Sequence, residues 1–269
     1  MAAYYDTHAH LDASDFAAEL PLVLARATEA GITKIVTVAT SLASSRRALQ
    51  LAEQFPNVFA TIGWHPGEVM DAPEDIRPQL RELAGHPKVV AIGETGLDHY
   101  RLPSQSGGTA ADDDRYRARQ AAMFQQQLEV AAECGLNVVI HTRESLEPTL
   151  AQFQPFASRV RAVFHCFVGD VAAMRRVLDL GSLVSFTGIV TFKNAQAVRD
   201  TVAAAPLNKF MLETDSPYLA PVPFRGQRCE PAYVRETAAL VAQLKGCSPE
   251  ELSATTCRTA EEFFRGLGT

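Results

Sequence analysis

The sequence predicts an α/β fold, a TIM-type (β/α)8 barrel, regular or distorted, formed by residues 1–269 as a single domain. The length of 269 residues suits eight strand–helix units. Eight short apolar runs alternate with segments of helical periodicity. Side chains of the same chemistry follow the first run and the last, and closing the sheet brings those two strands side by side.

The eight apolar runs are the predicted strands. They are almost continuously apolar, as is typical of parallel strands buried on both faces. An open doubly wound sheet is the alternative, but it would separate the first and last strands unless their order were shuffled. The runs cover residues 3–6, 34–39, 58–63, 89–94, 137–141, 162–165, 183–186 and 210–213.

Helical segments lie between these runs. Apolar residues recur every three or four positions over residues 20–30, with Pro21 suited to the first turn and Gly31 to the end. A longer helix is predicted over residues 116–134. The stretch Ser248-Pro249-Glu250-Glu251 has the pattern of a capping box and is expected to open the last helix.

The segment 102–114 (LPSQSGGTAADDD) is polar and rich in Gly and Ser. It follows the fourth strand, so we expect a loop that overhangs the carboxyl ends of the strands. The three aspartates Asp112, Asp113 and Asp114 resemble metal ligands, but such a run on a mobile loop is more often solvated.

The composition is that of an ordinary soluble globular protein, with 47% hydrophobic and 21% charged residues. The 25 Lys and Arg residues against 31 Asp and Glu residues give a formal net charge of −6. Proteins that bind nucleic acid mainly through their overall field are usually basic. Any anionic substrate must therefore be held by a local positive centre.

The five cysteines lie far apart along the chain, which argues against a structural zinc site built from close cysteine pairs. Their odd number fits a reducing compartment. The first residues lack the basic start and apolar core of a signal peptide, and no apolar run reaches transmembrane length. We therefore expect a cytoplasmic protein with no membrane contact.

Six side chains that commonly bind metals stand at the ends of five predicted strands. His8 and His10 are two residues apart, so on an extended chain they point to the same side. A lone histidine after an apolar run is more often a core residue, but that explanation does not suit so many strand ends. The carboxyl ends of barrel strands face one cavity, where we expect a metal site. The candidate ligands are His8, His10, Glu94, His141, His165 and Asp215.

The donor types narrow the choice of metal. Imidazole and carboxylate suit Zn²⁺, Mn²⁺, Fe²⁺ or Ni²⁺, whereas Mg²⁺ usually prefers oxygen. Six ligands exceed the need of one tetrahedral zinc, so we predict two divalent ions (Zn²⁺, Mg²⁺ or Mn²⁺) sharing a carboxylate and a hydroxide. With Glu94, Asp215 and the hydroxide, such a centre carries a charge of about +1. It would attract a phosphate and lower the pKa of bound water to about 7.

Seven stretches around these residues carry a resemblance to a known family. The chain resembles the TatD family of metal-dependent deoxyribonucleases, within the amidohydrolase-like barrels, from about residue 4 to residue 264. The resemblance implies a TIM-type barrel, a divalent metal centre and hydrolysis of DNA phosphodiester bonds, often as a 3′→5′ exonuclease. The matching stretches are DTHAHLD (6–12), IGWHPGE (62–68), AIGETGLDHY (91–100), VVIHTRES (138–145), FHCFVGD (164–170), SFTGIVTFKNA (185–195) and LETDSPYLAPVPFRG (212–226).

The resemblance also implies roles for single residues. By position, the six candidates match the family's metal ligands. Glu94 matches the carboxylate that bridges the two ions, and Asp215 would both bind metal and manage the proton of the attacking water. Glu94 and Asp215 are therefore the catalytic candidates.

Further residues are expected around the centre. His65 follows the third strand and is expected to bind the scissile phosphate. Arg143 and Arg225 are candidates to hold a phosphate through bidentate hydrogen bonds, with a surface or structural role as the alternative. Asp98 and Glu213 are expected to fix histidine tautomers.

Some positions depart from the family pattern. These are Glu144-Ser145, Val168-Gly169, Cys229 and the segment 102–114, which is longer than usual. None is a proposed ligand, so the departures bear on substrate access more than on chemistry. Trp64 is expected to pack inside the fold in preference to stacking on a base.

These observations predict a metal-dependent phosphodiesterase that acts on DNA through a two-metal-activated hydroxide, as a monomer with no obligate protein partner. The same centre could attack a carbonyl, so an ester or amide hydrolase, for example a D-aminoacyl-tRNA deacylase, is the alternative. A non-catalytic barrel that binds nucleic acid is a third possibility, but such a protein would normally have lost ligands.

Overall fold

The eight predicted strands form one parallel sheet in the computed structural model, which describes residues 2–268. Each strand pairs with the next one along the chain. Their bounds are β1 Tyr4–Ala9, β2 Ile32–Thr37, β3 Val58–Ile62, β4 Val89–Asp98, β5 Val138–Arg143, β6 Ala162–Phe164, β7 Leu183–Phe186 and β8 Phe210–Leu212. Within the described chain there is no second sheet or second domain, so the prediction of a single TIM-type barrel is confirmed.

The barrel is nearly closed between the backbone that follows β8 and the end of β1. Ala9 and Ser216 form a parallel bridge. The Asp215 N–H donates to the His8 carbonyl at 2.9 Å, and the His10 N–H donates to the Ser216 carbonyl at 2.7 Å. The backbone that closes the barrel therefore also fixes three of the predicted ligands.

Helices surround the sheet. Each of β1 to β7 is followed by at least one helix before the next strand, and two helices follow β8. The bounds are α1 Leu20–Glu29, α2 Leu42–Gln54, α3 Arg77–Ala84, α4 Ala110–Cys134, α5 Leu146–Phe153, α6 Val171–Asp179, α7 Gln196–Ala204, α8 Val234–Lys245 and α9 Pro249–Phe263. None of the helices in residues 2–268 is long and apolar enough to cross a membrane.

Residues 263–267 close the barrel at the amino ends of its strands. Phe263, Phe264 and Leu267 pack with apolar side chains from the strands, which in β3 to β8 come from the first three strand positions. The Arg265 N–H donates to the Val90 carbonyl at 3.1 Å. The amino ends of the strands are thus sealed, which leaves the carboxyl ends as the open side. The strand side chains in this cluster are Val36, Phe59, Val90, Ala91, Val139, Val163, Leu183 and Met211.

The prediction of a loop over residues 102–114 is wrong for the second half of that segment. Helix α4 begins at Ala110, six residues before the predicted start. Thr109 caps it, because its hydroxyl accepts from the Asp112 N–H while the Asp112 carboxylate accepts from the Thr109 N–H. Asp113 accepts from the Ser104 N–H and hydroxyl at 2.8 and 2.7 Å. The aspartates thus belong to the helix start, where negative charge is favourable.

Several strands end later than predicted. β1 reaches Ala9, so His8 lies inside the strand, and β4 continues to Asp98, beyond Glu94. In β4 the pairing with β5 runs on through Gly96 and His141. Polar residues were expected to terminate strands. Instead the whole of β4 is buried, and its pairing with β5 continues to Asp98.

Candidate metal centre

All six predicted ligands meet at the carboxyl end of the barrel. Glu94 and His141 lie on neighbouring strands, and His165 directly follows β6. The Glu94 carboxylate lies in the middle of the group. Its Oε1 is 2.9 Å from His141 Nδ1 and 2.8 Å from His165 Nε2. The prediction that distant stretches of the chain converge here is confirmed by these distances.

The other carboxylate oxygen of Glu94 faces the first strand. Oε2 lies 3.4 Å from His8 Nε2 and 3.7 Å from His10 Nε2. Asp215 Oδ1 completes this side, at 3.6 Å from His8 Nε2 and 3.3 Å from His10 Nε2. Glu94 is thus placed between two groups of donor atoms, as a carboxylate shared by two ions would be.

Two histidines have an outer ring nitrogen bonded to an oxygen and an inner ring nitrogen that faces the centre. His10 Nδ1 lies 2.9 Å from the Val38 carbonyl, which can only accept, so this nitrogen carries the proton. His141 lies between two carboxylates: its Nε2 is 3.2 Å from Asp98 Oδ2 and its Nδ1 is 2.9 Å from Glu94 Oε1. If a metal bound the inner nitrogens, Nε2 of His10 and Nδ1 of His141, the outer nitrogens would keep the ring protons and their contacts with Val38 and Asp98.

His165 is supported from behind by Glu213. Its Nδ1 lies 3.5 Å from Glu213 Oε1, too far for a formed hydrogen bond, while its Nε2 faces Glu94. Glu213 itself is held by the Cys166 N–H at 2.7 Å and the Ser185 hydroxyl at 2.6 Å. Asp98 and Glu213 therefore lie where the sequence analysis expected partners that orient histidines.

The surroundings keep the two central carboxylates ionised. Burial opposes the charge of Glu94, but the imidazoles of His165 and His65 hold its pKa well below the usual value. Burial also opposes the charge of Asp215, and the hydrogen bond with His10 lowers its pKa. Both groups are thus available as anionic ligands at neutral pH.

His65 lies beside the centre and presents an N–H to it. Its Nδ1 accepts the Gly67 N–H at 2.9 Å, so the neutral ring carries its proton on Nε2. Nε2 lies 3.5 Å from Glu94 Oε1. Burial lowers the pKa of His65 to about 4, which keeps the ring neutral. His65 is therefore built to donate a hydrogen bond rather than a lone pair.

The residues present fit a divalent metal centre. His8, His10 and Glu94 have donor atoms within 4.8 Å of one another, and Glu94 Oε1 lies 2.9 and 2.8 Å from ring nitrogens of His141 and His165. Imidazole nitrogens and carboxylate oxygens are the donors that Zn²⁺ and Mn²⁺ accept. Burying charged side chains costs free energy, so metal binding explains this group of histidines and acids better than a contribution to fold stability does.

A cavity of about 550 Å³ lies above the centre and opens to solvent. Arg101 lines this cavity, and Arg101 and Arg143 line an adjoining one of about 550 Å³; the two cavities together form the mouth. Arg143 stacks on Tyr100, 3.7 Å from the ring centroid. Tyr218 lines the mouth from the β8 side and is 59% exposed. Arg101 and Tyr218 were not among the predicted site residues, although each lies within six residues of a strand's carboxyl end.

Two other candidates lie elsewhere. Arg225 stacks on Phe192, 3.9 Å from the ring centroid, and donates to the Ala220 carbonyl at 3.4 Å. Arg225 is not among the described residues that line the mouth. Trp64 is buried and donates from Nε1 to the Glu68 carbonyl at 2.9 Å, so it packs in the fold as expected.

The family model for TatD related DNase matches residues 5–265. The chain belongs to this family. As a TatD-family protein it is a metal-dependent hydrolase, and the predicted resemblance is confirmed over nearly its whole length.

Named relatives of this TatD-family chain agree with that assignment. It is 38% identical over 263 residues to the uncharacterized metal-dependent hydrolase YcfH of Escherichia coli (strain K12), covering 96% of this chain and 94% of the relative. It is 34% identical over 266 residues to the 3′-5′ ssDNA/RNA exonuclease TatD of Enterobacter lignolyticus, covering 97% and 98%. The crystal structure of YJJV, a TatD homolog from Escherichia coli K12, superposes with a TM-score of 0.88 at 29% identity, covering 97% of each chain.

Proposed function

We propose that the chain hydrolyses phosphodiester bonds in DNA, as a 3′→5′ exonuclease, with two divalent ions bound by the six converging side chains. The observation that carries the proposal is the position of Glu94, with one carboxylate oxygen facing each of two donor groups. The proposed ligands are His8, His10 and Asp215 on one side, His141 and His165 on the other, and Glu94 between them.

The two carboxylates take different parts in this proposal. Bound divalent ions would supply water of lowered pKa and positive charge for the phosphate oxygens. The Glu94 side chain is only 3% exposed and is enclosed by imidazoles, so it holds the centre together. The Asp215 side chain is 15% exposed and ionised, so it can accept the proton of the attacking water.

The substrate phosphate is held by groups at the mouth. The Nε2–H of His65 points into the same space as Glu94 and His141, within hydrogen-bond reach of a group bound there. Arg101 and Arg143 add positive charge on the β4 and β5 side. These local groups explain how a chain of net charge −6 would bind an anionic polymer.

The names of relatives support a nucleic-acid substrate. Two similar proteins, from Enterobacter lignolyticus and Citrobacter rodentium, are named 3′-5′ ssDNA/RNA exonuclease TatD. They are 34% and 32% identical to this chain over nearly its full length. We infer the same class of substrate and the same polarity for this chain.

The test is a panel of metals and substrates on the purified protein. We expect EDTA to abolish cleavage of single-stranded DNA and Mg²⁺, Mn²⁺ or Zn²⁺ to restore it. A 5′-labelled strand should shorten progressively, and Glu94→Ala should be inactive. Cleavage by metal-free protein would overturn the proposal. Hydrolysis of D-aminoacyl-tRNA without DNA cleavage would establish the carbonyl alternative instead.

A further inference from the structure

A side pocket of about 390 Å³ opens next to the metal centre. It lies between the segment that follows β5 and the segment that follows β6. It shares Thr142, His165, Cys166 and Val168 with the mouth. A group attached to a phosphate at the centre could therefore enter this pocket directly.

The walls of the pocket are mainly apolar. Leu146, Pro148, Phe167 and Val168 line it. Phe167 is buried, whereas Val168 is 55% exposed. An apolar wall that stays open to solvent beside a polar centre is suited to covering a flat, uncharged part of a substrate.

The side pocket differs from the rest of the mouth in the charge of its lining residues. Its lining includes the carboxylates of Glu144 and Glu147 and no Lys or Arg among the described residues. Glu147 is paired with Arg176 at 2.7 Å, so Glu144 sets the net charge. Arg101 and Arg143 lie elsewhere in the mouth, and Arg47, whose guanidinium pairs with Asp12 at 3.1 Å, lines an adjoining cavity that also includes His10. Phosphates are thus favoured outside the pocket and disfavoured inside it.

We propose that the side pocket binds the base of the terminal nucleotide, whose 5′ phosphate lies at the metal centre. This inference rests on the proposed function. The rest of the strand then leaves past Tyr218 toward Arg47, because Tyr218 lines the cavities on both sides of His10. A 3′-terminal phosphate is disfavoured, since it would bring a dianion near Glu144.

The experiment compares three single-stranded oligonucleotides that differ only at the 3′ end. One ends in a normal nucleotide, one in an abasic nucleotide and one in a 3′ phosphate. With wild-type protein and Mn²⁺ we expect kcat/KM to fall about ten-fold for the abasic end, the effect of losing one base contact, and to fall also for the 3′ phosphate. In Val168→Trp, which fills the pocket, and in Val168→Asp, which makes it polar, the normal and abasic ends should be cleaved at similar rates.

Met70→Trp is the matched control. Met70 is 57% exposed on the segment after β3 and lies outside the pocket lining, so this variant should keep the ten-fold ratio. Equal rates on normal and abasic ends in wild type would overturn the pocket assignment and leave the nuclease proposal standing. Failure of wild type to cleave any of the three strands in any metal would overturn the proposed function, and this inference with it.

Discussion

At the scale of single residues, the hydrogen bonds of each histidine distinguish the proposed ligands from His65. His10 and His141 have an outer ring nitrogen bonded to an oxygen and would offer the inner nitrogen to a metal, whereas His65 accepts a backbone N–H and keeps an N–H that can donate. A hydrogen-bond donor aimed at developing negative charge contributes about 100-fold or more to a rate.

His65→Ala is therefore expected to lower kcat/KM for single-stranded DNA by about 100-fold without changing the metal content. His86→Ala is the control, because His86 lies away from the centre and faces Glu53 at 3.2 Å. Measurements of kcat/KM and of bound metal on the same preparations test this prediction. Loss of bound metal from His65→Ala would make His65 a ligand and contradict this assignment.

The residue types identified the candidate ligands, but they did not show which ring nitrogen of a histidine carries the proton. Histidines and acids after buried runs stand out in the sequence, and all six converge in the structure. The tautomer of His10 depends on the Val38 carbonyl, 28 positions away, and no local pattern announces it. Arg225 was a reasonable candidate by position, but stacking on Phe192 holds it elsewhere.

At the scale of elements, the approach of β4 to β5 positions the centre. Gly96 pairs with His141 and has φ +125°, a conformation that L side chains rarely adopt. A Cβ at this position would lie 2.1 Å from the His141 carbonyl oxygen. Only glycine allows the two strands to approach so closely.

Gly96→Ala is expected to push β5 away and displace His141. We expect a loss of about 2–4 kcal/mol in the free energy of unfolding and at least ten-fold weaker metal binding. Urea denaturation and metal titration measure both. Gly85→Ala is the control, because a Cβ there meets no atom within 4 Å. Wild-type stability and metal affinity in Gly96→Ala would refute the role of this contact.

The buried carboxylate of Glu230 pairs with two partly exposed arginines and fixes the segment between β8 and α8 against α1. Glu230 accepts from Arg26 Nε and Nη2, both at 2.7 Å, and from Arg228 Nη2 at 2.9 Å. Burial opposes its charge, but Arg26 and Arg228 lower its pKa below the usual 4.5. Since the folded pKa is the lower one, the stabilisation is present above pH 4.5 and is lost as the pH falls through the folded pKa.

Glu230→Gln should therefore lower the free energy of unfolding by about 1–3 kcal/mol at pH 7, with a smaller difference from wild type at pH 3. Denaturation curves at the two pH values measure this. Glu147→Gln breaks the more exposed pair with Arg176 and should have a much smaller effect. A difference that stays constant with pH would show that the charge of Glu230 is not responsible.

Element boundaries were the weakest part of the sequence analysis. The start of α4 was placed too late because Gly, Ser and Asp were read as loop residues, whereas Thr109 and Asp112 form a helix cap. The ends of β1 and β4 were placed too early because His8 and Glu94 are polar. Burial of a polar ligand inside a strand depends on its partners across the barrel, which lie far away in the sequence.

At the scale of the whole molecule, the barrel has a sealed end and an open end. Phe263, Phe264 and Leu267 seal the amino ends of the strands, and the proposed ligands lie at the opposite end. The net charge of −6 gives no general attraction for a polyanion. Recognition of DNA in this account therefore depends on the metal centre and the few arginines at its mouth.

Metal stoichiometry tests the central claim most directly. Purified wild-type protein and Glu94→Gln would be stripped with chelator, dialysed against Mn²⁺ or Zn²⁺ and analysed by mass spectrometry of the metals, with circular dichroism to confirm folding. The account predicts about two ions per wild-type chain and a clear loss of both in Glu94→Gln. Fewer than about one ion per wild-type chain, or equal metal content in the folded variant, would contradict a shared centre built around Glu94.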